Sequence, residues 1–327
     1  MLEKIADLVR NYEGLTRKRP ISPILEELSS VENMGRTVRG FGEDCAVIEY
    51  AGNYMLLAAE SIWSKLLDDP EWAGYCSVLA NVNDIYAMGG RPLAGVNTLS
   101  FRDENEGQLL ARGLRKGSEK FRVPIVGGHV QPWSEAPAIS LCILGSADNP
   151  MSSFGCTADD DIVIAADLDG RMKSGLLNFD STSGKSSGEV LFRLEALVEI
   201  ASRGLASAAK DVSNPGVLGS LAMLLETSVV GAEIDIGKIP VPRGVRLEDW
   251  VLAYPGCGFI LACAETATEE TLEVLRSRNL DAAVVGNATR KRRMRISLGG
   301  ESQVLFDLEE EIITGATSTR HSGGRDE

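Results

Sequence analysis

Histidine is nearly absent. The 327 residues contain two, His129 and His321, far apart and with no ligand spacing around either, which argues against a zinc site. The six cysteines (45, 76, 142, 156, 257 and 263) form no C-x-x-C pair, and five lie in apolar segments. They are expected to be reduced core thiols of a cytoplasmic protein. Positive charge is also in deficit: 33 Lys and Arg stand against 47 Asp and Glu, a net charge of −14, which argues against a nucleic-acid backbone as the main partner. An anionic substrate would need local Lys or Arg, a helix N-terminus or a bound cation. No apolar run reaches membrane-spanning length. The opening MLEKIADLVRNYEG has the spacing of an amphipathic helix rather than of a signal peptide. What remains is ordinary for a globular protein, 44% hydrophobic and 24% charged, and long enough for two domains with a sizeable core.

The chain divides as follows. Residues 1–35 read as helix, turn and helix, punctuated by Pro20 and Pro23. Residues 36–150 read as ββαβαββ, an α+β domain with helices on one face of a sheet. Asn149-Pro150 and Ser152-Ser153 make a turn-rich junction. A second α/β unit occupies 151–316, and residues 317–327 (TSTRHSGGRDE) form a polar tail predicted to be disordered.

One stretch organises the rest: NVNDIYAMGGRP, Asn81 to Pro92. Its Asp84 lies among apolar and small residues near the end of a helical run. A carboxylate so placed must be paired, hydrogen-bonded or metal-bound, because burying it bare is very costly. Other acids stand at strand ends. GEDCAVI places Glu43 and Asp44 before a strand, and LLAAE ends one on Glu60. Each alone is equally compatible with a solvated turn. VPIVGGH ends a strand on Gly127 and Gly128, which allow backbone to approach a ligand, followed by His129. KDVSNPG (Lys210 to Gly216) sits between two helices, where capping is the commoner role of such side chains. SGKSSG (Ser183 to Gly188) lacks P-loop spacing and follows no strand, so it is not a phosphate loop. KRRMR (Lys291 to Arg295) reads as a solvated turn and strand face. Acids at strand ends together with a Gly-rich turn point to a metal–phosphate site.

Taken in order, GEDCAVI, LLAAE, NVNDIYAMGGRP, VGGH and DVSNPG resemble the aminoimidazole ribonucleotide (AIR) synthetase, or PurM-like, superfamily over residues 36–300. The N-terminal half is similar to selenophosphate synthetase through DDPEWAG, NDIYAMGGRP and GGH. The whole, with YPGCGFIL, is most similar to the AIR synthase-related proteins, among them a methanogenesis-marker group. The resemblance implies two α/β domains, the first binding ATP with Mg²⁺, and a homodimer in which first-domain sheets join into a barrel. It carries metal ligation onto Glu43 or Asp44, Glu60 and Asp84, and places Asp211 and Asn214 toward the acceptor. It gives Gly127, Gly128 and His129 to the nucleotide site. Gly40, Gly42, Arg36 and Arg39 are the expected phosphate contacts. The reactive N-terminal cysteine of selenophosphate synthetases has no counterpart, because no cysteine precedes Cys45. The implied activity is ATP-dependent, either phosphorylating a small molecule or activating a carbonyl oxygen. Thiamine-phosphate-kinase-like and selenophosphate-synthetase-like chemistry are alternatives, as is a non-catalytic nucleotide sensor or assembly factor.

Overall fold

The computed structural model describes residues 1–317 apart from 174, 176 and 255. The polar tail from 318 onward, including His321, therefore lies outside the described residues. The chain opens with helices α1 (Leu2–Asn11), α2 (Glu13–Thr16) and α3 (Ile21–Leu28). There follow β1 (Thr37–Arg39), β2 (Ala46–Tyr50), β3 (Asn53–Ser61), α4 (Pro70–Ala87), β4 (Arg91–Ser100), α5 (Glu104–Phe121), β5 (Ile125–Gln131) and β6 (Ala138–Ala147). These six strands form one sheet in the order β1-β2-β3-β6-β4-β5, antiparallel except for the parallel β4–β5 pair.

The second half comprises β7 (Asp161–Ala166), β8 (Arg171–Met172), β9 (Phe179–Asp180), α6 (Ser187–Arg203), β10 (Ala208–Asp211), α7 (Gly216–Ser228) and β11 (Gly231–Asp235). It ends with α8 (Leu247–Trp250), β12 (Gly258–Cys263), α9 (Glu265–Ser277), β13 (Asp281–Thr289), β14 (Arg293–Leu298) and β15 (Glu301–Asp307). Its main sheet runs β10-β12-β7-β13-β11-β14-β15, and β8 pairs with β9 apart from it. This is the two-sheet α+β architecture that the order of periodic segments predicts.

Helix α4 is the hub. Asp69 caps it by accepting the Trp72 N–H at 3.1 Å, and Pro70 stands in its first turn, where its missing N–H costs nothing. The helix is apolar almost all round, so it is buried rather than amphipathic. One side packs on β3 and β6, another on α5, and its far side on α6 and β10 of the second half. Leu79, Val82 and Ile85 are fully buried; burying side chains of this size contributes about 1.5–3 kcal/mol each. Gly74 and Gly113 let α4 and α5 approach until a Cβ on either would strike the other helix's backbone. The Gly-Gly turn ends α4, with the Gly89 N–H on Tyr86 O at 2.8 Å and the Gly90 N–H on Ile85 O at 3.0 Å.

Strand β3 alternates as a half-covered strand should. Leu56 and Ala58 face the helices, whereas Leu57 and Ala59 point outward and are exposed. The uncovered face also carries Val96 and Leu144.

The first fifteen residues do not stand apart. Leu2, Ile5, Ala6 and Val9, at helical spacing, and Leu15 join the core beneath β14 and β15. The Arg10 guanidinium pairs with Glu311 at 2.7 Å. No helix among the described residues is long and apolar enough to cross a membrane.

Candidate active site

Between the two sheets lies a cavity of about 230 Å³. Its acidic wall is assembled from three elements distant in sequence. Gly42, at φ +105°, lets the loop before β2 turn sharply, with the Glu43 N–H on Gly40 O at 3.2 Å, and this aims Asp44 inward. On α4, Cys76, Ala80 and Asp84 recur every four residues and so share the stripe that faces the cavity. Strand β10 delivers Lys210 and Asp211, and is held against β12 with Lys210 opposite Ile260 and Asp211 opposite Phe259.

Carboxylate oxygens of Asp44, Asp84 and Asp211 lie within 4.8 Å of one another. The Asp44 side chain is only 2% exposed; it accepts a hydrogen bond from the Lys210 ammonium and another from the Asp211 backbone N–H at 3.0 Å. Asp84 Oδ2 is buried and, among the described residues, accepts no hydrogen bond. Burial pushes the Asp84 carboxyl well above the usual aspartate range, and the charges of Asp211, Glu60 and Asp44 push it further. Its position in the last turn of α4, at the negative end of the helix dipole, adds to this. Asp211 is raised to about 8, by burial first and then by Asp44. Burial works to lower Lys210, but the Asp44, Asp211 and Asp84 charges outweigh it and the ammonium is held more firmly than usual. Three acids thus crowd around one buried cation and retain an unsatisfied oxygen. Hard oxygen donors so placed fit a divalent cation of the Mg²⁺ type.

The other residues singled out in the sequence are distributed unevenly. Glu60 follows Leu56 and Ala58 on the helix side of β3 and lines the same cavity, outside the close trio. Its carboxyl lies between the cavity walls, and the desolvation they impose raises it; Lys18 and Lys210 oppose the shift. Glu43 also lines the cavity, but its carboxylate accepts from the Ser152 hydroxyl and from the Ser153 N–H at 2.6 Å, which ties the loop to the second half. Asn214 borders the cavity with both amide atoms buried and, among the described residues, unpartnered.

Several expected contacts lie elsewhere. Arg36 sits over the Tyr50 ring at 5.4 Å, and Arg39 donates to the carbonyls of Pro150 and Met151 at 3.0 and 3.2 Å. Gly40 packs against Glu32. Gly127, Gly128 and His129 do not end a strand but lie within β5, exposed at the sheet edge and outside the cavity lining. The pairing with β4 carries the strand on to Gln131, and the lack of a side chain at Gly128 lets β5 lie close to the Asn97 backbone. SGKSSG forms the α6 N-terminus, where Ser186 and Glu189 make a capping box and Lys185 pairs with buried Asp167 at 3.2 Å. Arg293 and Arg295 of KRRMR face Asp307 and Glu233 across the sheet surface.

Lys210 stands in KDVSNPG, where nothing local marks it as the counter-charge of Asp44. Its one local signal is its place directly before the aspartate of DVSNPG.

Residues 42–147 match the AIR synthase related protein N-terminal domain, and residues 170–299 match the C-terminal domain. The chain belongs to the AIR synthase-related family. It is 39% identical over 321 residues to an uncharacterised protein of Methanocaldococcus jannaschii, covering 96% of this chain and 99% of that one. It is 27% identical over 228 residues to the selenide, water dikinase of Carboxydothermus hydrogenoformans, covering 65% and 64% of the two chains. Among solved structures, T. maritima PurL complexed with ADP superposes with a TM-score of 0.73 at 18% identity, over 86% of this chain. This AIR synthase-related chain spans 47% of that PurL chain. ThiL complexed with AMPPCP and TMP superposes with a TM-score of 0.65 at 17% identity, over 87% of this chain and 96% of that one. These neighbours share the PurM-like fold.

Proposed function

We propose that this protein is an ATP- and Mg²⁺-dependent enzyme that either phosphorylates a small molecule or activates a carbonyl oxygen as a phosphate ester. The observation that carries the reading is the convergence of Asp44, Asp84 and Asp211 around Lys210 in a cavity between the two sheets. Nucleotide complexes of the PurL and ThiL neighbours support it.

Asp44, Asp84 and Asp211 would hold Mg²⁺, with Glu60 beside them. When bound, Mg²⁺ neutralises phosphate charge. The protein's own contribution is positioning. Lys210 and the Asp211 N–H fix the Asp44 carboxylate before any ligand arrives, so little reorganisation is needed. The Gly42 loop brings backbone to the cavity edge, and the Ser152 and Ser153 bonds to Glu43 hold that loop against the second half. An acceptor oxygen attacking the terminal phosphorus releases ADP, with Asp211 and Asn214 on the acceptor side. The test is ATP turnover with Mg²⁺ or Mn²⁺ across a metabolite panel. Metal-dependent turnover stimulated by one acceptor supports the reading, and binding without turnover across the panel favours a sensor.

The same reading includes a homodimer formed through the open face of the first sheet, because one helix layer covers only one side of it. Light scattering is expected to give the mass of a dimer at micromolar concentration, and Leu57→Asp to give a monomer. A wild-type monomer would contradict this.

The cysteines serve packing. Cys45, Cys76, Cys257 and Cys263 are buried and Cys142 partly so, each a free thiol among the described residues. Burial pushes the Cys45 and Cys76 thiols well up, so neither supplies a thiolate. Alanine at any of these five positions is expected to leave turnover within about threefold of wild type, in keeping with the loss of packing alone. A stably folded single variant without turnover would overturn the assignment.

A further inference from the structure

The cavity wall facing the acids comes from the N-terminal segment, which contributes Arg17, Lys18, Ile21 and Leu25. Both halves of the molecule hold this segment in place. Leu15 is buried in the second core. On the other side Glu13 pairs with Lys65 at 2.6 Å, and the Arg17 guanidinium stacks over Trp63 at 5.1 Å. The C-terminal residues close the same roof, since Gly315 abuts Ser22 and Ala316 abuts Gly42. That turn is fixed in turn by the buried Glu226 carboxylate, which accepts the Ile313 and Thr314 N–H groups at 2.8 Å each. The segment is therefore a built wall.

Lys18 is half-buried in this wall, and among the described residues its side-chain ammonium pairs with no carboxylate or carbonyl. Its charge is felt by Glu60 and Asp211 across the cavity, yet it closes an ion pair with neither. Lys210 behaves in the opposite way and sits against Asp44. A cation held short of an acidic wall leaves a gap between the two. An oxyanion fits that gap, one side turned to a cation held by the acids and the other to the lysine.

We propose that Lys18 binds an oxyanion of the ligand, seated between the N-terminal segment and the Asp44–Asp84–Asp211 wall. This rests on the reading of the cavity as a metal–nucleotide site. The oxyanion comes either from the terminal phosphate of the nucleotide or from an anionic group on the acceptor.

The full-length protein is titrated by calorimetry with Mg²⁺–ATP, Mg²⁺–ADP, Mg²⁺–tripolyphosphate, and inorganic phosphate in saturating Mg²⁺–ADP. Lys18→Ala is expected to weaken Mg²⁺–tripolyphosphate or inorganic phosphate about tenfold or more, the scale of a lost charge-assisted hydrogen bond. Lys18→Arg should recover part of that loss. Lys4→Ala, which removes a surface lysine paired with Glu248 at 3.3 Å, should stay within about twofold. Loss confined to ATP and tripolyphosphate assigns the oxyanion to the terminal phosphate; loss confined to inorganic phosphate assigns it to the acceptor. Lys18→Ala with all four titrations unchanged, whatever its melting temperature, overturns the proposal and leaves Lys18 as a counter-charge for Glu60 and Asp211. Lys18-dependent tripolyphosphate binding in a protein that takes no Mg²⁺–ATP would sink the nucleotide reading and keep the anion site. A wild type that binds none of the four refutes both.

Discussion

Asp84→Asn is expected to raise the melting temperature of the free protein by a few degrees while lowering ATP turnover about a hundredfold or more, the scale of one lost preorganised electrostatic contact. The two effects have one cause. Asp84 is 6% exposed, carries an oxygen without a partner among the described residues, and shares its site with two other carboxylates. Its folded-state carboxyl lies above the unfolded value, through burial first and then its acidic neighbours. A raised carboxyl favours folding below its unfolded pKa, about 3.9, and that contribution is lost as the pH climbs toward the folded value. The amide escapes this loss. The gain of the variant should therefore be present at pH 7 and shrink as the pH falls toward 4. Melting curves at several pH values, paired with turnover assays, check both halves. Unchanged turnover in a folded Asp84→Asn protein would remove the site from the mechanism.

Lys210→Met should have the opposite stability effect and a comparable effect on activity. The ammonium is 10% exposed and is the buried counter-charge of Asp44, with Asp211 and Asp84 alongside. Removing one member of a buried pair costs about 3–5 kcal/mol, because the remaining charges are left uncompensated. The folded-state pKa of Lys210 lies above the ordinary lysine value, so the stability it adds persists through neutral pH and would be lost only as the pH rises past that range. Chemical denaturation at pH 7 is expected to show the loss. Mg²⁺ should restore part of it by supplying charge to the same oxygens. A Lys210→Met protein as stable as wild type, with no response to Mg²⁺, would mean that the acids are not mutually repelling.

The sequence made much of the scaffold legible because local signals agreed with the final packing. Asp69-Pro70, an apolar run and Gly89-Gly90 delimit α4, and the structure places that helix over Pro70–Ala87. Glu104 to Phe121 carries a clear amphipathic period and forms α5 over those residues. Strand β10 was hidden. Its residues Ala208 to Asp211 are buried on both faces and show no alternation of apolar and polar positions, so Lys210 and Asp211 read as a loop between helices. The same blindness affected the N-terminal segment. Its helical pattern was plain, but nothing local tells that Leu15 reaches the second core while Lys18 faces the cavity. Asp84 was exposed by its company, since a carboxylate among apolar neighbours is a local contradiction. Asp44 and Asp211 gain meaning only when folding brings them beside it. The glycines before His129 suggested ligand contact, whereas Gly128 serves close strand pairing with β4.

The most direct test of the metal–nucleotide reading is calorimetric titration of ATP with Mg²⁺ present and with Mg²⁺ removed by EDTA, on wild type and on the triple variant Asp44→Asn, Asp84→Asn, Asp211→Asn. The predicted result is saturable binding by wild type that depends on Mg²⁺ and disappears in the folded triple variant. ATP binding of equal strength in EDTA, or binding that survives all three substitutions, would contradict it.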